Sequence, residues 1–162
     1  MEFFDQALEM EKKTVETYHE LAEKCRTNEG IKNILQMLAH DHEKHAGILN
    51  KMRRESGAGM AKTQAFREAH MLFKEMHGKN ETFTCDLDQL LLYKEAHDLV
   101  LKKAKLYAEM RDKADSEEER ALLGKLVDEE KKQAEVLDNI ITMVERPNTW
   151  LEDAEFVHLD EY

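Results

Sequence analysis

An all-α antiparallel four-helix bundle, built from two helical hairpins, is the fold that this sequence predicts. Three observations lead there. Apolar residues recur three and four positions apart through four long segments, the spacing that lines one side of a helix. The 162 residues include one Pro and six Gly, with 36% charged and 41% hydrophobic, a balance suited to long helices with one wet and one buried face. One helical hairpin also occurs twice along the chain. The length matches a single domain, on a usual scale of about 100–200 residues.

The first helix runs from about Glu2 to Cys25 and turns Phe4, Ala7, Leu8, Val15, Tyr18, Leu21 and Ala22 inward. Thr27 and Asn28 offer a start for the second helix, which continues to about Glu55, where Ser56 and Gly57 stop it. Its inward stripe is Ile31, Ile34, Leu35 and Leu38, then His42 and His45, then Leu49 and Met52. A long connection over 57–85 carries a short helix around Lys62–Met76. The third long helix begins at Asp86, which forms a capping-box pattern with Gln89. It reads inward through Leu90, Tyr93, His97, Val100, Ala104 and Tyr107. Ser116 and Glu119 form a second such pattern, and the fourth helix follows to about Glu145, ended by Pro147. Its stripe is Leu123, Leu126, Glu130, Gln133, Leu137 and Ile141. The bundle thus covers 1–146, and 147–162 form a tail that Trp150 and Phe156 dock onto it.

The duplication is visible residue by residue. The segment from Ala7 to Tyr18 aligns with that from Ala96 to Tyr107, and Leu35 to Leu49 aligns with Leu123 to Leu137. Each copy buries its greasy face against the other. The alignment sets Glu11 opposite Val100, His42 opposite Glu130, and His45 opposite Gln133.

Composition narrows the function classes. A net charge of −11 argues against a nucleic-acid backbone or an anionic membrane as the main partner. No apolar run approaches the roughly 18 residues of a bilayer span. Glu2 and Asp5 near the start do not fit a signal peptide. Cys25 and Cys85 form no CxxC pair, which excludes a four-cysteine zinc or iron centre and fits a reduced, cytoplasmic setting.

The four stripes are interrupted by polar residues near mid-helix: Glu11, then His42 with His45, then His97 beside Val100, then Glu130 with Gln133. In an antiparallel bundle these levels meet at one height. Imidazoles and carboxylates in a core need partners. Mixed nitrogen and oxygen donors suit divalent iron, manganese or zinc. The same four groups, Glu11, His42, His45 and Glu130, also pair with one another as a metal-free polar network. His40, Asp41 and Glu43 fall off the stripe and read as solvated.

The phrases from Ala7 to Glu11 followed by Tyr18, from Leu38 to Ala46, and from Leu126 to Ala134 resemble the rubrerythrin branch of the ferritin-like superfamily. The resemblance spans Glu2 to Ile141. It implies a ferritin-like bundle with a di-iron centre, to which the first and third helices each give a Glu and the second and fourth each give a Glu-x-x-His pair. Glu11, His45 and Glu130 match that pattern. His42 stands for a Glu, Val100 for a Glu, and Gln133 for a His. Val100 and Gln133 remove the private ligands of one metal, and an imidazole at His42 cannot bridge two ions. The expected centre is therefore mononuclear: Glu11, His42, His45 and Glu130 around one ion, with His97 and Gln133 as candidate additions. Tyr18 and Tyr107, two turns along from Glu11 and Val100, are placed to hydrogen-bond the carboxylates.

The resemblance implies redox chemistry, namely peroxide or dioxygen reduction or iron oxidation. Without CxxC pairs of its own, the chain would take electrons from a separate donor. Two other readings stand beside this oxidoreductase: a protein that binds or senses one metal ion without turnover, and a helical scaffold that has lost the site. A homodimer is the default assembly.

Overall fold

The computed structural model describes residues 2–54 and 64–152. Six helices follow in order: α1 (Glu2–Lys24), α2 (Glu29–Arg54), α3 (Ala65–Gly78), α4 (Leu87–Asp112), α5 (Glu117–Glu145) and α6 (Pro147–Glu152). No strand occurs among the described residues, and the fold is the all-α bundle expected. No helix among them is long and apolar enough to cross a membrane. The stop expected at Ser56 and Gly57, the start of the connecting helix near Lys62, and Phe156 lie outside the described residues.

Local chemistry sets the helix ends. Asn28 starts α2, its Oδ1 accepting from the Ile31 N–H at 3.0 Å. Thr27 is drawn away, donating to the Thr84 carbonyl at 3.1 Å. At α4 both halves of the capping box form: Gln89 N–H to Asp86 Oδ1 at 2.8 Å, and Asp86 N–H to Gln89 Oε1 at 3.2 Å. At α5 only half of it does, Glu119 N–H to Ser116 Oγ at 3.1 Å. The connecting helix runs beyond Met76 to Gly78. It closes where Asn80 takes φ 55, a conformation Asn tolerates, and where Glu81 N–H reaches the Met76 carbonyl at 2.7 Å.

Pro147 does more than end α5. It also opens α6 as its first residue, where a missing N–H costs nothing. That turn delivers Trp150 into the core. Its ring is fully buried edge-on to Phe73, and its Nε1–H donates to Asn139 Oδ1 at 3.1 Å.

Contacts at both ends show antiparallel neighbours. Arg53 of α2 pairs with Asp5 of α1 at 2.5 Å, Lys94 of α4 with Glu145 of α5, and Lys13 of α1 with Glu95 of α4 at 3.2 Å. The core divides into two apolar clusters. One gathers Tyr18, Leu35, Leu38, Phe73, Tyr93, Ile140 and Trp150. The other holds Ala7, Leu49, Tyr107, Leu123 and Leu126. On each long helix the residues between the two clusters are the polar ones, so the apolar core has a charged waist.

Candidate metal centre

Each helix contributes to that waist for a reason of spacing. Glu11 follows Ala7 by one turn on α1, and His42 and His45 follow Leu38 on α2. Glu130 follows Leu126 on α5. All four side chains are shut off from solvent, with 0% exposure. Each offers one ligand atom, and these atoms lie within 4.8 Å of one another. The expected four residues are thus brought together.

The contacts are close. His42 Nδ1 lies 2.6 Å from Glu11 Oε2 and 3.6 Å from Glu130 Oε1. His45 Nδ1 lies 3.4 Å from Glu130 Oε1 and 3.9 Å from Glu11 Oε1. The approach of His45 to Glu130 falls outside hydrogen-bond geometry. Both ring nitrogens of His45, both carboxylate oxygens of Glu130 and the Gln133 amide nitrogen lack a hydrogen bond. Buried polar atoms without such partners are uncommon and costly. Glu130 Oε2 has an ion pair with Lys103 Nζ at 3.3 Å, which leaves Glu130 Oε1 and the His45 nitrogens as the atoms an added cation would satisfy. Two imidazoles and two carboxylates suit a first-row divalent ion. This donor set fits one ion. Val100 offers no donor, and the Gln133 amide oxygen is engaged within the cluster by His42 and Tyr18.

Gln133 Oε1 receives His42 Nε2–H and also the Tyr18 hydroxyl, the latter at 3.4 Å. Gln133 is therefore in the cluster as a hydrogen-bond partner. The Tyr107 hydroxyl donates to Glu11 Oε1. Burial raises both phenols well above their usual range, and the negative charges of Glu11 and Glu130 add to it, so both tyrosines remain protonated donors. Burial works against ionised Glu11, but the charges of Lys103 and His42 outweigh it and hold the carboxyl well below the usual range. Burial opposes a charge on His45 too, yet contact with Glu130 and the field of Glu11 raise its pKa.

His97 is not part of this centre. It sits at the margin of α4's inner face and pairs outward, Nε2 to Asp138 Oδ1 at 3.0 Å, with 20% of its side chain exposed. Asp41 departs from expectation in the other direction. It is buried, at 5% exposure, one turn before His45, while His40 and Glu43 stay outside as a pair at 3.5 Å.

One residue went unforeseen. Lys103 is completely buried, and its Nζ reaches His42 Nδ1 at 2.8 Å, Glu11 Oε2 at 3.2 Å and Glu130 Oε2 at 3.3 Å. A signal was present in the sequence. Residues Ala96, Val100, Lys103 and Tyr107 share one face by three- and four-residue steps, which places this lysine on the inner stripe, whereas its neighbour Lys102 is exposed.

The rubrerythrin family model matches residues 2–141. No curated protein and no solved structure matches the chain. That match covers most of the sequence, and within it four helices enclose a buried cluster of two Glu and two His. The chain belongs to the rubrerythrin family, as a member whose metal site is divergent.

Proposed function

We propose that this protein binds one divalent metal ion, iron, manganese or zinc, through Glu11, His42, His45 and Glu130, and that it serves a redox role of the rubrerythrin kind. The observation that carries the reading is the convergence of four solvent-free ligand atoms within 4.8 Å, with His45 and Glu130 left without hydrogen bonds. A redox-active ion bound there would supply electron transfer to peroxide or dioxygen. The chain's own part is to neutralise and to position. Glu11 and Glu130 balance the ion's charge, the imidazoles give nitrogen donors, and Tyr107 fixes the Glu11 carboxylate by donating to Oε1. The apolar clusters above and below keep water out. Electrons come from a separate donor, and a two-fold dimer is the simplest assembly.

Metal binding without turnover is the second reading. It is favoured by the absence of ligands for a second ion at Val100 and Gln133, since a pair of ions shares electrons and clamps an oxygen substrate where one does not. The test is to strip the protein with a chelator, reload it separately with iron, manganese and zinc, and measure ions per chain. One ion per chain, with a raised melting temperature, is expected. Two ions, or none with any of the three metals, would overturn the reading. Peroxide consumption by the iron-loaded protein then separates the redox role from simple binding.

A further inference from the structure

We propose that Lys103 is a built-in cation of this centre. Its Nζ occupies the position between Glu11 and Glu130 that an external ion would otherwise take, so an incoming metal competes with the protein's own side chain. The inference deepens the proposed single-ion reading, and its metal-dependent half rests on that reading. Its other half concerns the metal-free protein and stands alone.

The geometry argues for it from three sides. First, the lysine is satisfied by the cluster. An ammonium has three N–H donors; Lys103 Nζ is hydrogen-bonded to Glu11 Oε2 at 3.2 Å, lies 2.8 Å from His42 Nδ1, and is ion-paired with Glu130 Oε2 at 3.3 Å. A fully buried lysine is rare unless paired, and here the pairing is with both carboxylates of the candidate centre. Second, Lys103 braces the closest contact of the cluster. His42 Nε2 faces Gln133 Oε1, and His42 Nδ1 lies 2.6 Å from Glu11 Oε2. Lys103 Nζ reaches both atoms of that contact.

Third, the charges add up. Glu11 and Glu130 bring two negative charges into a solvent-free waist. One ammonium, in contact with both, offsets part of that charge. A divalent ion added beside Lys103 would instead leave the waist with an excess positive charge and no water to screen it. The duplication sets a different residue at the equivalent place in α1. The residue of α1 equivalent to Lys103 is Thr14, buried and bonded to its own helix at the Met10 carbonyl, 2.8 Å away.

Two measurements test this. In chelator-treated protein, a double-mutant cycle of Lys103→Met and Glu130→Gln is followed by urea unfolding. Lys103→Met alone is expected to raise the unfolding constant by at least ~100-fold, the usual scale for stranding a buried partner charge. Adding Glu130→Gln is expected to recover much of that loss. Recovery of folding in the double variant, should Lys103→Met alone fail to fold, supports the proposal equally. Additive losses, or a double variant that also fails to fold, would make Lys103 a packing residue and overturn it.

In the second measurement, Zn²⁺ binding to wild type and to Lys103→Met is compared by equilibrium dialysis, with the zinc-induced rise in melting temperature as a second readout. The variant is expected to bind ~10–100-fold more tightly, the range over which groups adjoining a metal site tune it. Equal affinity, with an equal shift, would show that Lys103 does not stand in the ion's place. If neither protein binds zinc, iron or manganese, the proposed metal function fails, and the unfolding cycle alone still decides whether Lys103 is the centre's cation.

Discussion

Removing the Tyr107 hydroxyl isolates one support of the waist. Tyr107→Phe keeps the ring, so the apolar packing of a fully buried side chain is unchanged. It deletes the donor to Glu11 Oε1, while Oε2 keeps Lys103 and His42. Glu11 is held in its ionised form, and a hydrogen bond to a charged buried acceptor contributes about 1.5–3 kcal/mol. In a chain of this length each kcal/mol moves the melting temperature by roughly 2–4 °C. The expected drop is therefore ~3–12 °C in chelator-treated protein, followed by far-UV circular dichroism. Tyr18→Phe is the internal control. Its hydroxyl meets the neutral Gln133 oxygen at a long 3.4 Å, so its loss should cost no more than about 0.5–1.5 kcal/mol. The reasoning is refuted if Tyr18→Phe destabilises the protein as much as Tyr107→Phe does.

Three further outcomes follow from other parts of the molecule. Trp150→Ala, which empties a wholly buried position and frees Asn139, should cost about 3–5 kcal/mol in urea unfolding; a loss under ~1 kcal/mol would mean that α6 does not brace the bundle. Gly47→Ala on the exposed side of α2 has nothing within 4 Å of the added carbon and should stabilise by roughly 0.5–1 kcal/mol; destabilisation would contradict that. His97 is raised chiefly by its hydrogen bond to Asp138, against burial. The pair's contribution is thus present below the ordinary His pKa of 6.5 and fades as pH rises through the higher folded value. With Asp138 65% exposed, that contribution stays under ~1 kcal/mol. Asp138→Asn should lower the His97 pKa followed by NMR, and an unchanged titration would exclude the contact in solution.

The long helices were legible because their signals are local. Asn28, Asp86 and Ser116 each mark a start by chemistry confined to a single turn, and three- and four-residue spacing needs no knowledge of the partner helix. The level at which Glu11, His42, His45 and Glu130 meet could be read because each interrupts its stripe near mid-helix, where antiparallel neighbours share one height. What escaped is what depends on rotation about a helix axis by a fraction of a turn. His97 and Val100 both lie near α4's inner face, yet a small rotation sends His97 to Asp138 and draws Lys103 inside. A long aliphatic stem lets lysine carry its charge well away from its own backbone, so charge alone is a poor guide to which face it occupies. Asp41 is buried against expectation for a related reason: a short side chain at the edge of a stripe is covered by its neighbours.

The waist also constrains how the helices slide. Glu11 belongs to α1, His42 and His45 to α2, Lys103 and Tyr107 to α4, and Glu130 and Gln133 to α5. Leucines facing leucines tolerate a shift of one turn, about 5.4 Å, because one greasy side chain replaces another. An ammonium tied to two carboxylates and an imidazole on three other helices does not tolerate it. A displaced α4 would strand a charge in oil and leave two acids unneutralised. The cluster therefore acts as a bolt through all four rods, and it selects a single alignment of the bundle whether or not a metal is bound.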